Sequence, residues 1–467
     1  MNPGITRSAA PSHIWTPLLI MVLVGALTLH AQPPSTLQNL FDGTARFVED
    51  TDSGLIGGSF GMHFLSTLWI DDQLWAYYIK NYQVESRWKS AVGLAISGDG
   101  INFTDQGLVM DISGAWQWVY DAARDLFHQV GRADADGWSA STGLDSQGHL
   151  CYGPYTPDIP EGPNTVSFQL MIDNNSADDL PVVNLDVYDA ASGAILATRQ
   201  VRRREFSAPF HYQIFNVSFR SPAGHALEFR TWWYGVAYIR ESQVALSQGV
   251  EPFFDNRLAS FPGIWKDGDT FYLVYEGAGE DRQWPGDIGL ATSTDGLHFA
   301  KHPNNPILRH EGGWESANIG TPSLWKEGDT WYLFYHGFDG RRVQIGVATG
   351  VDLAALNKYP GNPIVPAGPF GNWDEGTVGK RSLLQQDGVY YMIFEGSTRP
   401  PYDRARWSSG VARSPDLFNW EKFSGNPLIP QTSSGFGYDG PEFVTIGGTV
   451  WTYFRHPLGA TGRAALR

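Results

Sequence analysis

The strongest constraint on the fold is a two-part repeat that occurs four times along the chain. Each copy has an aromatic-rich segment folded around a short turn of Asp, Gly or both, followed by a segment reading Gly-Leu-Ala or Gly-Val-Ala. A polar turn between two β-prone runs is typical of a β-hairpin. The hairpins span residues 69–78, 265–275, 325–335 and 384–394, and the glycines of the second segment are Gly93, Gly289, Gly346 and Gly410. At about 60 residues, each copy predicts three or four antiparallel strands, which is one blade of a β-propeller.

The spacing of these glycines indicates an insertion after the first blade. Gly289 and Gly346 are 57 residues apart and Gly346 and Gly410 are 64 apart, but Gly93 and Gly289 are 196 apart. The excess matches the segment 113–250, which lacks the blade motifs. We therefore predict an all-β chain: a five-bladed β-propeller with an inserted β-sandwich (jelly-roll) domain. Its parts are residues 38–112 for the first blade and a ring-closing strand, 113–250 for the insert, and 251–467 for blades two to five.

The fifth blade needs a strand from elsewhere in the sequence. It begins at Tyr438 and contains the β-prone run 450–454, but too few residues follow for a complete blade. The N-terminal segment 40–48 is predicted to supply the missing strand. This pairing closes the ring and removes exposed strand edges.

The insert alternates apolar and polar residues with the period of β-strands, at 166–170, 183–187 and 227–232. Pro, Gly and Asn separate these runs, which favours a sandwich. Trp232, Trp233 and Tyr234 follow one another in the last run. Two interpretations stay open for them: packing in the core, or an aromatic platform for a sugar ring.

The N-terminal segment 1–31 has the pattern of an export signal. Arg7 precedes an apolar run from Trp15 to Leu29, and a cleavage position follows at Ala31. We expect a secreted or periplasmic protein with no stable membrane span after signal removal, the alternative being an uncleaved anchor. The single cysteine, Cys151, excludes an internal disulfide. The net charge of −16, without a basic stripe, argues against a nucleic-acid partner.

Four short motifs connect the blades to a known group of proteins. They are Gly-Thr-Pro-Ser-Leu-Trp at 320–325, Tyr-Glu-Gly at 275–277, Tyr-His-Gly at 335–337 and the segment 288–299. With them, residues 40–110 and 251–467 resemble the five-bladed propeller superfamily of glycoside hydrolase families 43, 32, 68, 117 and 130. The resemblance implies hydrolysis of a polysaccharide or oligosaccharide. Residues 293–299 also resemble part of the Asp-box of six-bladed sialidases, but the order of Asp and Gly does not fit.

The insert is similar to carbohydrate-binding jelly rolls at residues 120–126. That similarity implies that the insert binds glycan and makes a structural calcium ion a candidate ligand. The family pattern has two Glu residues where Asp121 and Arg124 stand here, so its calcium ligands are not reproduced. We expect no required cofactor.

Glycoside hydrolysis generally needs two carboxyl groups, one protonated and one ionised. Asp255, Glu315 and Asp374 each follow an aromatic residue and stand ten residues before the anchor of their blade, whereas Glu442 lies on the first strand of blade five without a repeat. We predict Asp255 as base or nucleophile, Glu315 or Glu442 as general acid, and Asp374 as a tuning acid. The alternative is that an acid repeated in several blades has a structural task. The Asp-Pro that the superfamily carries on its first inner strand is replaced by Gly61-Met62-His63-Phe64.

Further polar residues are predicted to bind substrate because they lie on or beside the innermost strands or at the ends of the second strands. Glu276, His336, Glu395 and Arg455 are predicted to stand at equivalent positions at the ends of the second strands. No metal ligand is assigned among them. The substrate-binding candidates are His63, Asn256, Arg257, Glu276, His336, Lys380, Arg381, Glu395, Asp439 and Arg455.

Two other functions stay open. One is a glycan-binding propeller protein without catalysis, which the missing Asp-Pro favours. The other is a polysaccharide lyase, for which Tyr335 or His336 would be the base beside Arg381.

Overall fold

The computed structural model describes residues 34–56, 62–84, 87–113, 118–249, 254–279 and 286–467. The predicted export signal at 1–31 lies outside these residues. The described chain is almost entirely β-structure, so the prediction of an all-β fold is confirmed. No helix in the described part is long and apolar enough to cross a membrane.

The chain begins with one short helix and one short strand. Helix α1 (Leu37–Phe41) is capped by Thr36, whose hydroxyl oxygen accepts a hydrogen bond from the backbone N–H of Asn39. Strand β1 (Phe47–Glu49) follows. The first antiparallel unit comprises β2 (Ser66–Ile70), β3 (Gln73–Val84), β4 (Arg87–Ser97) and β5 (Thr104–Met110).

Residues 118–248 form two further sheets around their own apolar core. The strands are β6 (Trp118–Asp121), β7 (Arg132–Asp134), β8 (Gly137–Ala140), β9 (Gly148–Cys151), β10 (Pro154–Thr156), β11 (Gly162–Ile172), β12 (Pro181–Asp189), β13 (Ala194–Arg202), β14 (Gln213–Ser221), β15 (Leu227–Trp233) and β16 (Ile239–Gln248). One sheet has the order β10-β15-β12-β13 with β9 beside β15, and the other has the order β14-β11-β16-β8-β7 with β6 beside β16. Phe168, Phe215, Phe229 and Trp233 fill the space between the sheets.

Four more antiparallel units follow. Their strands are β17 (Leu258–Asp267), β18 (Thr270–Ala278), β19 (Asp287–Ser293) and β20 (Ala300–Lys301); β21 (Asn318–Glu327), β22 (Thr330–Phe338), β23 (Val343–Gly350) and β24 (Asn357–Lys358); β25 (Thr377–Gln386), β26 (Val389–Ser397), β27 (Trp407–Ser414) and β28 (Glu421–Lys422); and β29 (Asp439–Ile446), β30 (Thr449–Arg455) and β31 (Thr461–Leu466). The last unit gains its fourth strand when β1 pairs with β31. The N-terminal chain therefore supplies a strand at 47–49, and not over the whole of 40–48, because 37–41 form the capped helix.

The first strands of the five units contact one another in the cyclic order β2, β17, β21, β25, β29 and back to β2. We interpret this order as five blades around a central axis. The first strand of each later unit carries a bulge at the same level, seen as a register shift after Ser260, Gly320, Val378 and Asp439. Bulges re-aim the adjacent side chains, and these four lie next to the polar end of each second strand.

Candidate functional site

Unlike polar side chains occupy equivalent places at the ends of the second strands. Each follows a buried aromatic residue, in the pairs Tyr275-Glu276, Tyr335-His336, Phe394-Glu395 and Phe454-Arg455. In the register of the sheets they lie beside the bulges of the first strands. The prediction that they stand at equivalent positions therefore agrees with the strand pairing.

Glu276 links two neighbouring units. Its Oε2 accepts a hydrogen bond from the backbone N–H of Thr321 on the next first strand, at 2.8 Å. A Cβ atom at Gly320 would stand only 2.0 Å from that oxygen, so the position requires glycine. Burial raises the pKa of Glu276 to about 8, against the opposing effects of the Thr321 hydrogen bond and the charges of Arg381 and Arg257.

His336, Thr321 and Arg381 form a hydrogen-bonded chain. The Arg381 Nη2 donates to Thr321 Oγ1 at 2.6 Å, and Oγ1 lies 2.8 Å from His336 Nδ1. On its other side, His336 Nε2 lies 3.1 Å from Asn318 Oδ1. Burial and the Arg381 charge lower the pKa of His336 to about 3, so the imidazole is neutral near pH 7.

Arg381 is fully buried, with 0% of its surface exposed. Burial lowers its pKa to about 9, although Glu395 and Glu276 act in the opposite direction. Its Nη1 has no hydrogen-bond partner among the described residues. The buried Arg381 guanidinium thus interacts with two buried carboxyls, Glu395 and Glu276.

Glu395 and Asp439 are two carboxyls in unlike surroundings. Glu395 accepts hydrogen bonds from the N–H of Lys380 and of Gly440, both at 2.9 Å. Burial, followed by the charge of Asp439, raises the pKa of Glu395 to about 7. Asp439 instead binds Arg455 through both oxygens, with a 3.0 Å distance from Nε to Oδ1. Asp439 is therefore ion-paired with a guanidinium, whereas Glu395 holds a proton up to near neutral pH.

Glu442 is paired with a buried lysine. Lys380 Nζ stands 3.0 Å from its Oε2, and the Thr67 N–H donates to its Oε1 at 3.0 Å. Glu442 and Arg381 line a cavity of about 100 Å³ on the axis, together with residues of four first strands. Both members of the Lys380–Glu442 pair are buried.

His63, Asn256 and Arg257 lie at the first and second units. His63 is partly buried, and burial together with the Arg455 charge lowers its pKa. The Asn256 carbonyl oxygen accepts a hydrogen bond from Lys89 Nζ at 2.9 Å. Arg257 Nε donates to the Gly279 carbonyl at 3.2 Å, and its Nη2 has no partner in the described chain.

The structure does not bring Asp255, Glu315 and Asp374 together. Each is buried within its own unit and pairs with a lysine on the fourth strand. The pairs are Asp255–Lys301 at 2.6 Å, Glu315–Lys358, and Asp374–Lys422 at 2.6 Å. Tyr275 also donates to Asp255 at 2.9 Å. A contact repeated in three units at their fourth strands matches the structural alternative stated above for these acids.

Sequence reasoning missed the partners of these groups. Lys301, Lys358 and Lys422 each stand four residues before the Asn of an Asn-Pro step, at Asn305, Asn362 and Asn426. That fixed spacing is the sequence feature that marks these three lysines as a repeated structural element. Thr321 lies in the Gly-Thr-Pro-Ser motif, which indicates a blade but does not predict the hydrogen bonds of Thr321 with Arg381 and His336.

The acidic residues at 121 and 125 make contacts within the insert. Asp121 accepts hydrogen bonds from the backbone N–H groups of Ala123 and Arg124, and Asp125 binds the Arg124 guanidinium. Within the described ranges, no group of three His, Cys, Asp or Glu residues is arranged to hold a metal ion. The structural calcium ion that the jelly-roll similarity implies stays a prediction.

No protein-family model matches the chain, and no curated protein matches it. Solved structures do resemble it. Zg3597, a family 117 glycoside hydrolase of Zobellia galactanivorans, is 16% identical with a TM-score of 0.35, and the match covers 41% of this chain and 61% of that one. A thermostable family-43 glycoside hydrolase is 14% identical with a TM-score of 0.44, covering 88% and 90%. The Bombyx mori GH32 β-fructofuranosidase BmSUC1 is 12% identical with a TM-score of 0.42, covering 92% and 66%. These three families are among the five that the blade motifs resemble.

Proposed function

We propose that this chain is an exported glycoside hydrolase that cleaves a polysaccharide or oligosaccharide at the axis of its five units, with an insert that binds glycan. The observation that carries the proposal is the Glu395–Asp439 pair. One carboxyl with a raised pKa beside a second carboxyl that is paired with a guanidinium is an arrangement that suits acid-assisted glycoside cleavage.

In this proposal Glu395 is the general acid. Its pKa of about 7 keeps it protonated in mildly acidic solution, so it can donate to the oxygen of the leaving sugar. Asp439, which is paired with Arg455, acts as base or nucleophile, or stabilises positive charge on the sugar ring. Glu276 is the third acid, with Arg381 between it and Glu395.

Substrate binding would use the remaining polar groups around the axis. Arg257 and Arg381 each have a guanidinium nitrogen that lacks a partner within the described chain and can donate to a sugar oxygen. His63 is a further substrate-binding candidate, because it lies close enough to Arg455 and Asp439 for their charges to affect its pKa. A second contact through the insert would raise the local concentration of a polymeric substrate.

The test is turnover by matched variants on a panel of polysaccharides and aryl glycosides. Glu395→Gln and Asp439→Asn are each expected to lower the rate by about 10²–10⁴-fold, which is typical for removal of an acid or base. Asp255→Asn and Asp374→Asn are the controls, since both keep the shape of a carboxyl outside the proposed pair. If only the controls lost activity with the fold intact, catalysis would instead belong to the acids predicted from the sequence.

A glycan-binding protein without catalysis is the second candidate. It is favoured by one observation: both oxygens of Glu395 already accept backbone hydrogen bonds, as expected of a structural carboxylate. Product analysis separates the functions, because a hydrolase creates reducing ends and a binding protein does not. A lyase would create unsaturated sugars that absorb in the ultraviolet, but both ring nitrogens of His336 already have partners in the structure.

A further inference from the structure

The sheet formed by β9, β10, β12, β13 and β15 has an outer face that the proposed reaction does not use. Along β12 and β15, alternate residues point into the sandwich core, including Leu185, Val187 and Phe229. The intervening residues therefore lie on the other face of the sheet. In the register of the two strands they form three opposed pairs: Asn184 with Trp232, Asp186 with Arg230, and Tyr188 with Glu228.

The middle of this face is a tightly organised polar group. Arg230 Nε donates to Asp186 Oδ1 at 2.6 Å, and the guanidinium carbon lies 4.1 Å from the centroid of the Tyr188 ring. Asp186 is 4% exposed and Glu228 is 5% exposed. Carboxyls on the outer face of a sheet ordinarily reach water, so their burial here depends on the aromatic and guanidinium groups around them.

A continuous run of aromatic rings borders this polar group. Trp232 meets His149 edge-on with centroids 4.9 Å apart, His149 lies 5.8 Å from Tyr152, and Phe127 follows at 5.7 Å from Tyr152. Tyr155 ends the run at 5.9 Å from Phe127. Reciprocal backbone hydrogen bonds between Phe127 and Tyr152, both of 2.9 Å, fix the positions of two of the rings.

The exposed end of this run is costly to leave in water. Phe127 is 52% exposed and Tyr155 is 43% exposed. Tyr155 also has a left-handed backbone conformation with φ of 67°, which a bulky residue rarely adopts. Adjacent exposed rings beside ordered polar groups are typical of a binding surface.

We infer that this face, defined by Phe127, Tyr152, Tyr155, His149, Trp232 and the Asp186–Arg230–Glu228 group, binds an uncharged polysaccharide chain. The inference rests on the proposed function for its class of ligand. Sugar rings present apolar C–H faces that pack on aromatic rings, and hydroxyl groups that bind carboxylates and guanidinium groups.

Charge decides between neutral and acidic polymers. On the outer positions of β12 and β15 the charged residues are Asp186, Glu228 and Arg230, and the arginine is already paired with Asp186. Glu228 also interacts with Arg230 and with the Tyr155 hydroxyl, but two carboxyls still share one guanidinium. A uronate or sulfate group would add a further negative charge beside these carboxyls, and like charges in contact disfavour binding. Uncharged hydroxyls meet no such repulsion.

The experiment measures binding of the full chain to soluble neutral polysaccharides such as arabinan, galactan, xylan and mannan, with polygalacturonate as the acidic counterpart. Phe127→Ala and Tyr155→Ala are each expected to weaken binding by about tenfold, since one lost aromatic contact commonly costs that much. Phe210→Ala is the matched control, because Phe210 is 65% exposed and is not part of the ring run. Glu395→Gln is included to separate binding from hydrolysis.

The outcomes are distinct. If a neutral polymer binds, the ring variants weaken it and Glu395→Gln does not, the inference holds, whether or not the protein hydrolyses that polymer. If turnover of short substrates depends on Glu395 but the ring variants bind polymer like the control, the inference fails and the proposed function stands. Preferential binding of polygalacturonate also overturns the inference. So does a result in which the ring variants bind polymer normally but lose a dimer that the wild type forms in sedimentation.

Discussion

Glu241 allows a prediction about the free energy of unfolding whose magnitude can be derived from the surroundings of this side chain. It lies on β16 inside the sandwich core and is 0% exposed. The Thr231 hydroxyl donates to its Oε1 at 3.1 Å, and the thiol of Cys151, a weak donor, is its other polar neighbour. A carboxyl that loses water without gaining strong donors favours its neutral form.

The penalty can be worked out from the pKa. Burial raises the pKa of Glu241 from 4.5 to about 7. The unfolded chain ionises at the lower value, so the folded state is not penalised below pH 4.5. The cost grows as the pH rises and is complete above about pH 7, where it reaches about 3 kcal/mol at 1.36 kcal/mol per pKa unit.

Glu241→Gln removes this penalty and keeps the shape of the side chain. We expect the variant to match the wild type in free energy of unfolding at pH 4.5 and to be more stable by about 3 kcal/mol at pH 8. Urea unfolding of both proteins at the two pH values measures the difference. Glu161→Gln, at an exposed glutamate between β10 and β11 of the same sandwich, is the control and should show no such pH dependence. An advantage of Glu241→Gln that is equal at both pH values would refute the reasoning, because it would not come from ionisation.

Three other expectations concern the propeller units. Lys301→Met leaves Asp255 buried without its cation and should lower the free energy of unfolding, measured by urea denaturation, by about 3–5 kcal/mol. The double variant Lys301→Met/Asp255→Leu should recover most of that loss, whereas a single variant as stable as the wild type would contradict the pairing. Gly320→Ala forces a Cβ atom against Glu276 and should cost both thermal stability and activity, whereas Gly312→Ala, with no atom within 4 Å of its new Cβ, should cost little of either. If Glu395 is the general acid, kcat should fall as the pH rises above about 7, and a profile flat from pH 6 to 9 would exclude that role.

Sequence patterning was sufficient for the repeated parts of the molecule because every repeat carries its own turn and its own pair of hairpin strands. The runs 265–275, 325–335 and 384–394 lie on paired first and second strands. The strands within the insert also follow the alternation of apolar residues, and Trp233 proves to be core whereas Trp232 lies on the outer face. The alternation of apolar and polar residues predicts which strand positions are buried, because successive side chains point to opposite faces of a strand.

The contacts that define the candidate site join different units, and no local pattern reports them. Glu276 meets the amide of Thr321, which is 45 residues away, and Glu395 meets the amide of Gly440, also 45 residues away. Both contacts require the bulge that turns the first strand, and the bulges of the second and third units place Phe261 and Thr321 in the left-handed region. The sequence could place polar residues near the axis but could not pair them.

Symmetry separates structural acids from candidate catalytic acids. Asp255, Glu315 and Asp374 occupy equivalent places and have equivalent lysine partners, so one physical task accounts for all three. At the ends of the second strands the same equivalence holds for the backbone but not for the side chains, which are glutamate, histidine, glutamate and arginine. A ring of identical units needs no such variety for its stability. Glu395 is buried near a second carboxyl and burial raises its pKa at a cost to folding, which is why the proposed function assigns the general acid to this position.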